Sequence, residues 1–393
     1  MRKAVYMDHA ATTPVNPRAV EAMLPFFSQR FGNPSSVYAL AQEARQAVEE
    51  ARQAMADILG CSEREVIFTS GGTESDNIAI KGAAYGSQKS GNHIITSAIE
   101  HHAVLETCQH LERAGFEVTY LPVDQHGLVR VGDVEKAITD RTVLITIMLA
   151  NNEMGTVEPI AEIGQLVKEW ARSKKKIAFH TDAVQAAGAL DINVEGLGVD
   201  MLSLSAHKFY GPKGVGIFYL RRGTVFTPQQ SGGSQERNRR AGTENVPGIV
   251  GAAEAIKLAA GGRESYSQHC QGLRDRLIRG VLGGIDGSFL TGHPIQRLSN
   301  NASFCFPGVE GESILLSLDF EGVAASSGSA CTSASLEPSH VMLAMGISVE
   351  VAHSSLRFSL GTENTEEEVD YVISIMPGIV NRLRAMSPLA AER

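Results

Sequence analysis

Seven short apolar runs lie between residues 65 and 220: EVIFT at 65–69, HIITS at 93–97, EVTYL at 117–121, VLITIML at 143–149, KIAFH at 176–180, MLSLS at 201–205 and VGIFYL at 215–220. Several are apolar throughout rather than alternating, the pattern of strands covered on both faces, and the stretches between them are long enough for crossover helices. Few folds accept that order. It predicts an α/β class chain with a doubly wound, mainly parallel seven-stranded sheet. Ligands in such sheets sit at the carboxyl ends of the strands, so the residues just after each run are the candidate functional ones.

The flanks are helical. Asn16-Pro17 pairs an N-cap with proline at the first helical position and opens a helix through Phe27. From Val37 to Leu59, apolar residues including Ala44, Val48, Ala51 and Met55 recur at three- and four-residue spacing. Helical periodicity dominates from Pro247 to Leu282, and glycine-punctuated strands then mix with helices ending near Arg384, as in a smaller α+β unit. The expected division is a large unit over 15–260 and a small one over 261–393, with residues 1–14 packing on the small unit.

Composition excludes several classes. A chain of 393 residues is long enough for two domains. With 35 Lys+Arg against 44 Asp+Glu, the net charge of -9 argues against nucleic acid as the main partner. The apolar run Val143–Ala150 is far short of the roughly 20 residues a bilayer crossing needs. The N-terminus reaches Asp8 and His9 before any apolar stretch of signal-peptide length, so a cytoplasmic location is expected. Five cysteines, Cys61, Cys108, Cys270, Cys305 and Cys331, contain no CxxC pair, which gives no disulfide framework and no metal site.

Three post-strand segments carry the chemistry. Ser70-Gly71-Gly72-Thr73 frees the backbone and opens a helix whose first N–H groups suit an anion such as phosphate, although a glycine turn with a helix cap explains it equally well alone. The spacing is neither GxGxxG nor a Walker motif, so dinucleotides and ATP are poorly supported. Asp182, three residues before Gln185, is placed to grip a protonated ring nitrogen; taken alone, an N-cap aspartate is the simpler account. Lys208 follows a buried strand and precedes a glycine-proline turn, with Ser205 and His207 as anion donors beside it. A desolvated lysine near other cations forms Schiff bases readily, whereas most loop lysines are solvated. An amine, an anion cup and an aspartate on one sheet edge are what pyridoxal phosphate (PLP) requires.

The stretch Ser205-Ala206-His207-Lys208-Phe209-Tyr210-Gly211-Pro212 resembles the cofactor-lysine motif of PLP enzymes related to class V aminotransferases. Together with MDHAATTP, GGTESDN, EHHAVL, NNEMGT, HTDAVQ, RAGTEN and SSGSACTS, it resembles the cysteine desulfurases of the nitrogenase and iron–sulfur-cluster type, from about Tyr6 to Leu360. The resemblance implies the fold type I PLP-dependent transferase fold and conversion of L-cysteine to L-alanine, with sulfur passed to an active-site cysteine. It makes Lys208 the Schiff-base lysine, Asp182 the partner of the pyridinium nitrogen, Gln185 the partner of the phenolic oxygen, and His101 the ring-stacking acid/base. Gly72, Thr73, Ser205 and His207 would hold the phosphate, with Thr243 reaching it from the neighbouring subunit of a homodimer. Asn152 and Arg357 would bind the substrate carboxylate, and Cys331 would carry the persulfide.

Arg237, Arg239 and Arg240 fit a small anion or an interface better than nucleic acid. Around Cys331, ten small residues from Ser326 to Ser335 offer no large apolar anchor, so a mobile thiol loop is expected. A sulfur-acceptor scaffold protein is the implied partner. The tail after Ala385 is shorter than the one that docks scaffolds in housekeeping members, which leaves the acceptor open. A selenocysteine lyase or another PLP-dependent amino-acid lyase would share the cofactor residues, and a non-catalytic sulfur-relay subunit would share the fold.

Overall fold

A computed structural model describes residues 4–327 and 337–386. Its centre is a seven-stranded sheet of β2 (Val66–Thr69), β3 (His93–Ser97), β4 (Glu117–Leu121), β5 (Thr142–Thr146), β6 (Ala178–Asp182), β7 (Met201–Ser205) and β8 (Gly216–Leu220). The order is β2-β8-β7-β6-β5-β3-β4, and β8 alone runs antiparallel to its neighbours. Parallel strands put all their carboxyl ends on one edge. Five candidate-bearing segments, those after β2, β3, β5, β6 and β7, therefore converge there without any long-range instruction beyond the strand order.

The apolar runs are buried because they serve two cores at once. Ile67, Ile94, Leu144, Met201 and Phe218 point to one face and pack with Ile78, Ile80, Val104 and Leu111. Phe68, Ile95, Ile145, Leu202, Ile217 and Tyr219 point to the other, toward Val48, Met55, Ile249 and Ile256. Each such side chain contributes about 1.5–3 kcal/mol on burial, enough to fix register against slippage that would exchange the two faces. β2 and β4 are the edge strands, and the first residue of β4, Glu117, is exposed.

Local chemistry moves several boundaries from their expected places. The helix starting at Asn16-Pro17 runs over Pro17–Met23 and gives way at Leu24 to a separate turn, Pro25–Ser28, because Pro25 lacks the N–H a continuous helix needs. The long helix begins at Ala39 rather than Val37, and closes at Gly60 in the left-handed conformation. The strand expected at 176–180 lies at Ala178–Asp182, which carries Asp182 onto the last strand position.

A second assembly is built on antiparallel β11 (Phe289–Leu290), β12 (Asn301–Cys305) and β14 (Ser355–Ser359). Helices Arg263–Gly284, Gly311–Phe320 and Glu366–Met386 cover it, with Phe304, Phe306, Phe358, Leu277 and Met376 at the centre. The chain's beginning joins this assembly: β1 (Val5–Tyr6) pairs in parallel with β13 (Val323–Ala324), and Val5 and Met7 enter its core. Helix Val246–Gly261 passes to helix Arg263–Gly284 through Gly262. Before both in chain order, β9 (Ser234–Gln235) and β10 (Arg240–Ala241) form a short hairpin. No described helix is long and apolar enough to cross a membrane.

Phe304 is fully buried among Phe306 and Phe358. Phe304→Ala should lower stability by about 3–5 kcal/mol in denaturant titration; a loss below about 1 kcal/mol would show that this aromatic cluster is not what holds the second core.

Candidate active site

Two adjoining cavities open at the carboxyl edge of the sheet. One, of about 460 Å³, is lined by Gly71, Gly72, Thr73, Ser205, His207 and Lys213. The other, of about 360 Å³, is lined by His101, Asn152, Asp182, Gln185, Lys208 and Arg357. Ala11, Gly72, Thr73, Ser205 and His207 belong to both, so the two form one cleft. The structure thus brings together every described site residue expected from the sequence except Thr243, which is exposed and lines neither cavity. Cys331 lies outside the described residues.

The first cavity is an anion cup by construction. Helix Gly72–Ser87 points its N-terminus into it, and Thr73, Ser205, His207 and Lys213 add donors. A Cβ at Gly72 would stand 2.8 Å from the Val184 Cγ2 atom, so any larger residue would force that side chain to shift. Glu74 also borders the cup. Burial would raise its carboxyl, but hydrogen bonds from Arg240 Nε at 2.9 Å and Ser70 N at 2.7 Å outweigh that and hold it below the usual range. Arg240 is thus spent on Glu74, while Arg237 bonds Glu49 and the Glu63 carbonyl and Arg239 the Arg64 carbonyl.

In the second cavity a cation is surrounded by acceptors. Lys208 Nζ donates to the Ala10 carbonyl at 2.6 Å and the Ala11 carbonyl at 2.7 Å, and Gln185 Nε2 donates to Ala10 O at 3.0 Å. Asp182 closes the other side. Its Oδ1 accepts from Val184 N at 2.9 Å, and burial pushes its carboxyl up to about 6 despite the Lys208 charge. His101 caps helix His102–Arg113 through Nδ1, which accepts from Ala103 N at 3.1 Å. Burial, then the Lys208 charge, lowers its imidazole to about 4, so the ring is neutral at pH 7. Burial and Lys208 do the same to His207, also to about 4, and its Nδ1 lies 3.1 Å from Thr12 Oγ1.

Arg357 is almost fully buried. Its Nη1 donates to Asn152 O at 2.7 Å and its Nη2 meets Asp8 Oδ1 at 2.9 Å, while Nε has no partner among the described residues. The guanidinium is therefore oriented, with its buried Nε–H unpartnered among the described residues.

Several participants escaped the sequence reading. Residues 8–13 thread the cleft: Asp8 takes Arg357, Ala10 and Ala11 take Lys208, Thr12 meets His207, and Thr13 bonds the Lys208 turn through His207 O and Tyr210 N. His340 Nε2 bonds Glu100 O at 2.9 Å, tying helix His340–Ala344 to the turn that carries His101. Asp76, in the first helix after β2, lines the cavity beside Asp182 with Oδ1 unpartnered. Only its position one turn inside that helix could have placed it on the cleft side.

Pyridoxal phosphate fits these residues. The cup holds donors for a phosphate, the middle holds an amine, and the far wall holds two buried carboxyls that a cationic ring nitrogen would compensate. Asp76 is held well above the usual carboxylate range by burial first and by the Asp182 charge second. A carboxyl raised in this way contributes stability that is present below its unfolded value and lost as pH rises through the folded one. Apo Asp76→Asn should accordingly melt higher than the apo parent at pH 8, with the gap closing toward pH 4; a gap that does not change with pH would contradict the buried-carboxyl account.

Residues 5–372 match the aminotransferase class-V family. The cysteine desulfurase IscS of Methanosarcina thermophila is 56% identical over 390 residues, covering 99% of this chain and 95% of that relative. Its counterpart from Clostridium botulinum is 53% identical over 391 residues, 99% of this chain and 97% of the relative. Among solved structures, a NifS-like protein superposes with a TM-score of 0.90 at 40% identity, covering 97% of this chain and 100% of its own. The structure of SspA in complex with cysteine gives a TM-score of 0.78 at 37% identity, covering 92% and 100%. With a lysine, an aspartate and an anion cup at one sheet edge and this likeness along nearly its whole length, the chain belongs to the class-V aminotransferase family, alongside the IscS-type cysteine desulfurases.

Proposed function

We propose that this chain is a PLP-dependent cysteine desulfurase that converts L-cysteine to L-alanine and takes the sulfur onto its own Cys331. One observation carries the reading: Lys208, Asp182, His101 and Arg357, from four separate segments, line a single cavity that continues into an anion cup. When bound, pyridoxal phosphate supplies an electron sink for the substrate α-carbon.

The chain's own residues do the rest. Gly72, Thr73, Ser205 and His207 hold the phosphate, with Thr243 added from a second copy in a homodimer. Asp182 faces the ring nitrogen and Gln185 the phenolic oxygen. Neutral His101 stacks on the ring and is available as a proton acceptor. Lys208 would hold the cofactor through its amine, and that amine would be the acceptor for the proton at the substrate Cα. Arg357 and Asn152 bind the substrate carboxylate.

The resemblance of the SSGSACTS segment to the desulfurase family makes Cys331 the sulfur acceptor. Burial pushes the thiols of Cys61, Cys108, Cys270 and Cys305 each up to about 12, so none offers a thiolate near pH 7. Cys331 is the remaining cysteine, in the SSGSACTS motif. Its thiolate bonds to the substrate sulfur, the carbon–sulfur bond breaks, and protonation of the carbon leaves alanine. The persulfide then passes to an acceptor such as an iron–sulfur scaffold protein in the cytoplasm. Residues 15–260 serve as the cofactor-binding unit, and 261–393, with 1–14, as the unit that brings Arg357 and Cys331 to it.

Protein mixed with L-cysteine should gain one sulfur on the peptide containing Cys331, read by mass spectrometry. Cys331→Ala should keep the cofactor's colour and lose alanine release, whereas Lys208→Ala should lose the borohydride-fixed cofactor label. Sustained alanine release by Cys331→Ala would remove that residue from its role.

A further inference from the structure

We propose that Lys213 is a further cofactor-binding residue, the cation that takes the cofactor's phosphate group in the anion cup. The proposal rests on the cofactor reading above and deepens it at the phosphate end.

Of the residues that line the cup, Glu74 and Lys213 carry the charge. Glu74 is already engaged, accepting from Arg240 Nε at 2.9 Å and Ser70 N at 2.7 Å. His207 adds no charge, since burial first and then the Lys208 and Lys213 charges lower it to about 4. Lys213 makes no ion pair or side-chain hydrogen bond among the described residues. The neighbouring cations are occupied, Lys208 by the Ala10 and Ala11 carbonyls and Arg240 by Glu74.

The turn that carries Lys213 is braced. Ala206 N donates to Val215 O at 3.0 Å and Gly211 N to Ala206 O at 2.9 Å, which closes residues 206–215 into one loop. Within it Gly211 lies so near Ala206 that a Cβ would stand 2.8 Å from the carbonyl oxygen, and Pro212 fixes its own φ. Lys208 and Lys213 ride on this one loop, the first lining the second cavity and the other the cup.

Charge decides what the cup prefers. A phosphate monoester carries about −1.5 to −2 near pH 7. Hydroxyls and the N–H groups of a helix end offer it partial charges only, and Glu74 opposes it. Lys213 supplies a full positive charge together with N–H donors. The cup therefore selects the phosphorylated aldehyde over the free one through this residue.

The test titrates two aldehydes into the apoprotein, pyridoxal phosphate and pyridoxal, which lacks only the phosphate, and reads the change in their absorbance. Lys213→Gln should weaken pyridoxal phosphate about tenfold or more and leave pyridoxal unchanged. Lys213→Arg, which keeps the charge, should stay near the parent for both. Added salt should weaken pyridoxal phosphate more steeply in the parent than in Lys213→Gln. Equal weakening of both aldehydes by Lys213→Gln would mean that Lys213 only shapes the turn, and an unaltered affinity for pyridoxal phosphate would equally overturn the assignment. A parent apoprotein that takes up neither aldehyde would instead overturn the function proposed above, and the assignment with it.

Discussion

Burying a guanidinium and an amine in one cleft is the constraint from which the rest of the site follows. A cation withdrawn from water needs acceptors at once, and an unpaired one is far costlier than an unmade neutral contact. Arg357 and Lys208 are satisfied by the same short stretch of chain, Asp8 for the first and the Ala10 and Ala11 carbonyls for the second. That stretch is held in turn by Thr13 against the Lys208 turn and by Ala10 N, which donates to Ser359 Oγ at 2.8 Å beside Arg357. The cations thus hold residues 8–13, which bond to the Lys208 turn on one side and to β14 on the other.

Beneath the cations lies a layer of buried acids. Asp76 and Asp182 line the cavity, and behind them Glu100 is pushed up to about 8 by burial, with the Ser97 hydroxyl donating to it at 2.6 Å and Met148 N at 2.9 Å. Burial raises Asp76, Asp182 and Glu100 alike, so this region holds protons rather than a full set of negative charges. His180, fully buried and lowered to about 3 by that burial, stays neutral with Oγ partners on Thr146 and Ser203. Such a wall responds to a cation placed against it, which is the electrostatic counterpart of a protonated ring nitrogen.

Most of the fold was legible because it follows from local rules. Three of the seven runs, HIITS, EVTYL and MLSLS, are the observed strands residue for residue, and each has a polar residue or a proline on one side: Asn92, Pro122 and Asp200. The others slip by one to three residues where apolar character continues past the last ladder bond, as at Ile147 to Leu149 beyond β5. Strand-end residues such as Asp182 and Lys208 were legible for the same reason. Asp8, Asp76 and His340 were not. Their roles depend on partners 349, 106 and 240 positions away, and nothing in their own neighbourhood encodes those pairings. Glu236, Arg237 and Asn238 were equally hidden: three successive non-glycine residues with φ of 45°, 56° and 66° are held by Arg52, which grips Glu236 through two bonds of 2.6 and 3.1 Å.

The pairing of Asp8 with Arg357 spans 349 positions. On a ribosome the aspartate would leave the exit tunnel 349 residues before its guanidinium. The sheet from β2 to β8 can consolidate while synthesis continues, but the segment that threads its edge must wait, docked provisionally at the Lys208 turn or unattached, until β14 has been made. Vectorial synthesis thereby delays the complete cleft until β14 has been made, so a nascent chain cut off before residue 355 would carry Lys208 and the anion cup without the guanidinium of Arg357.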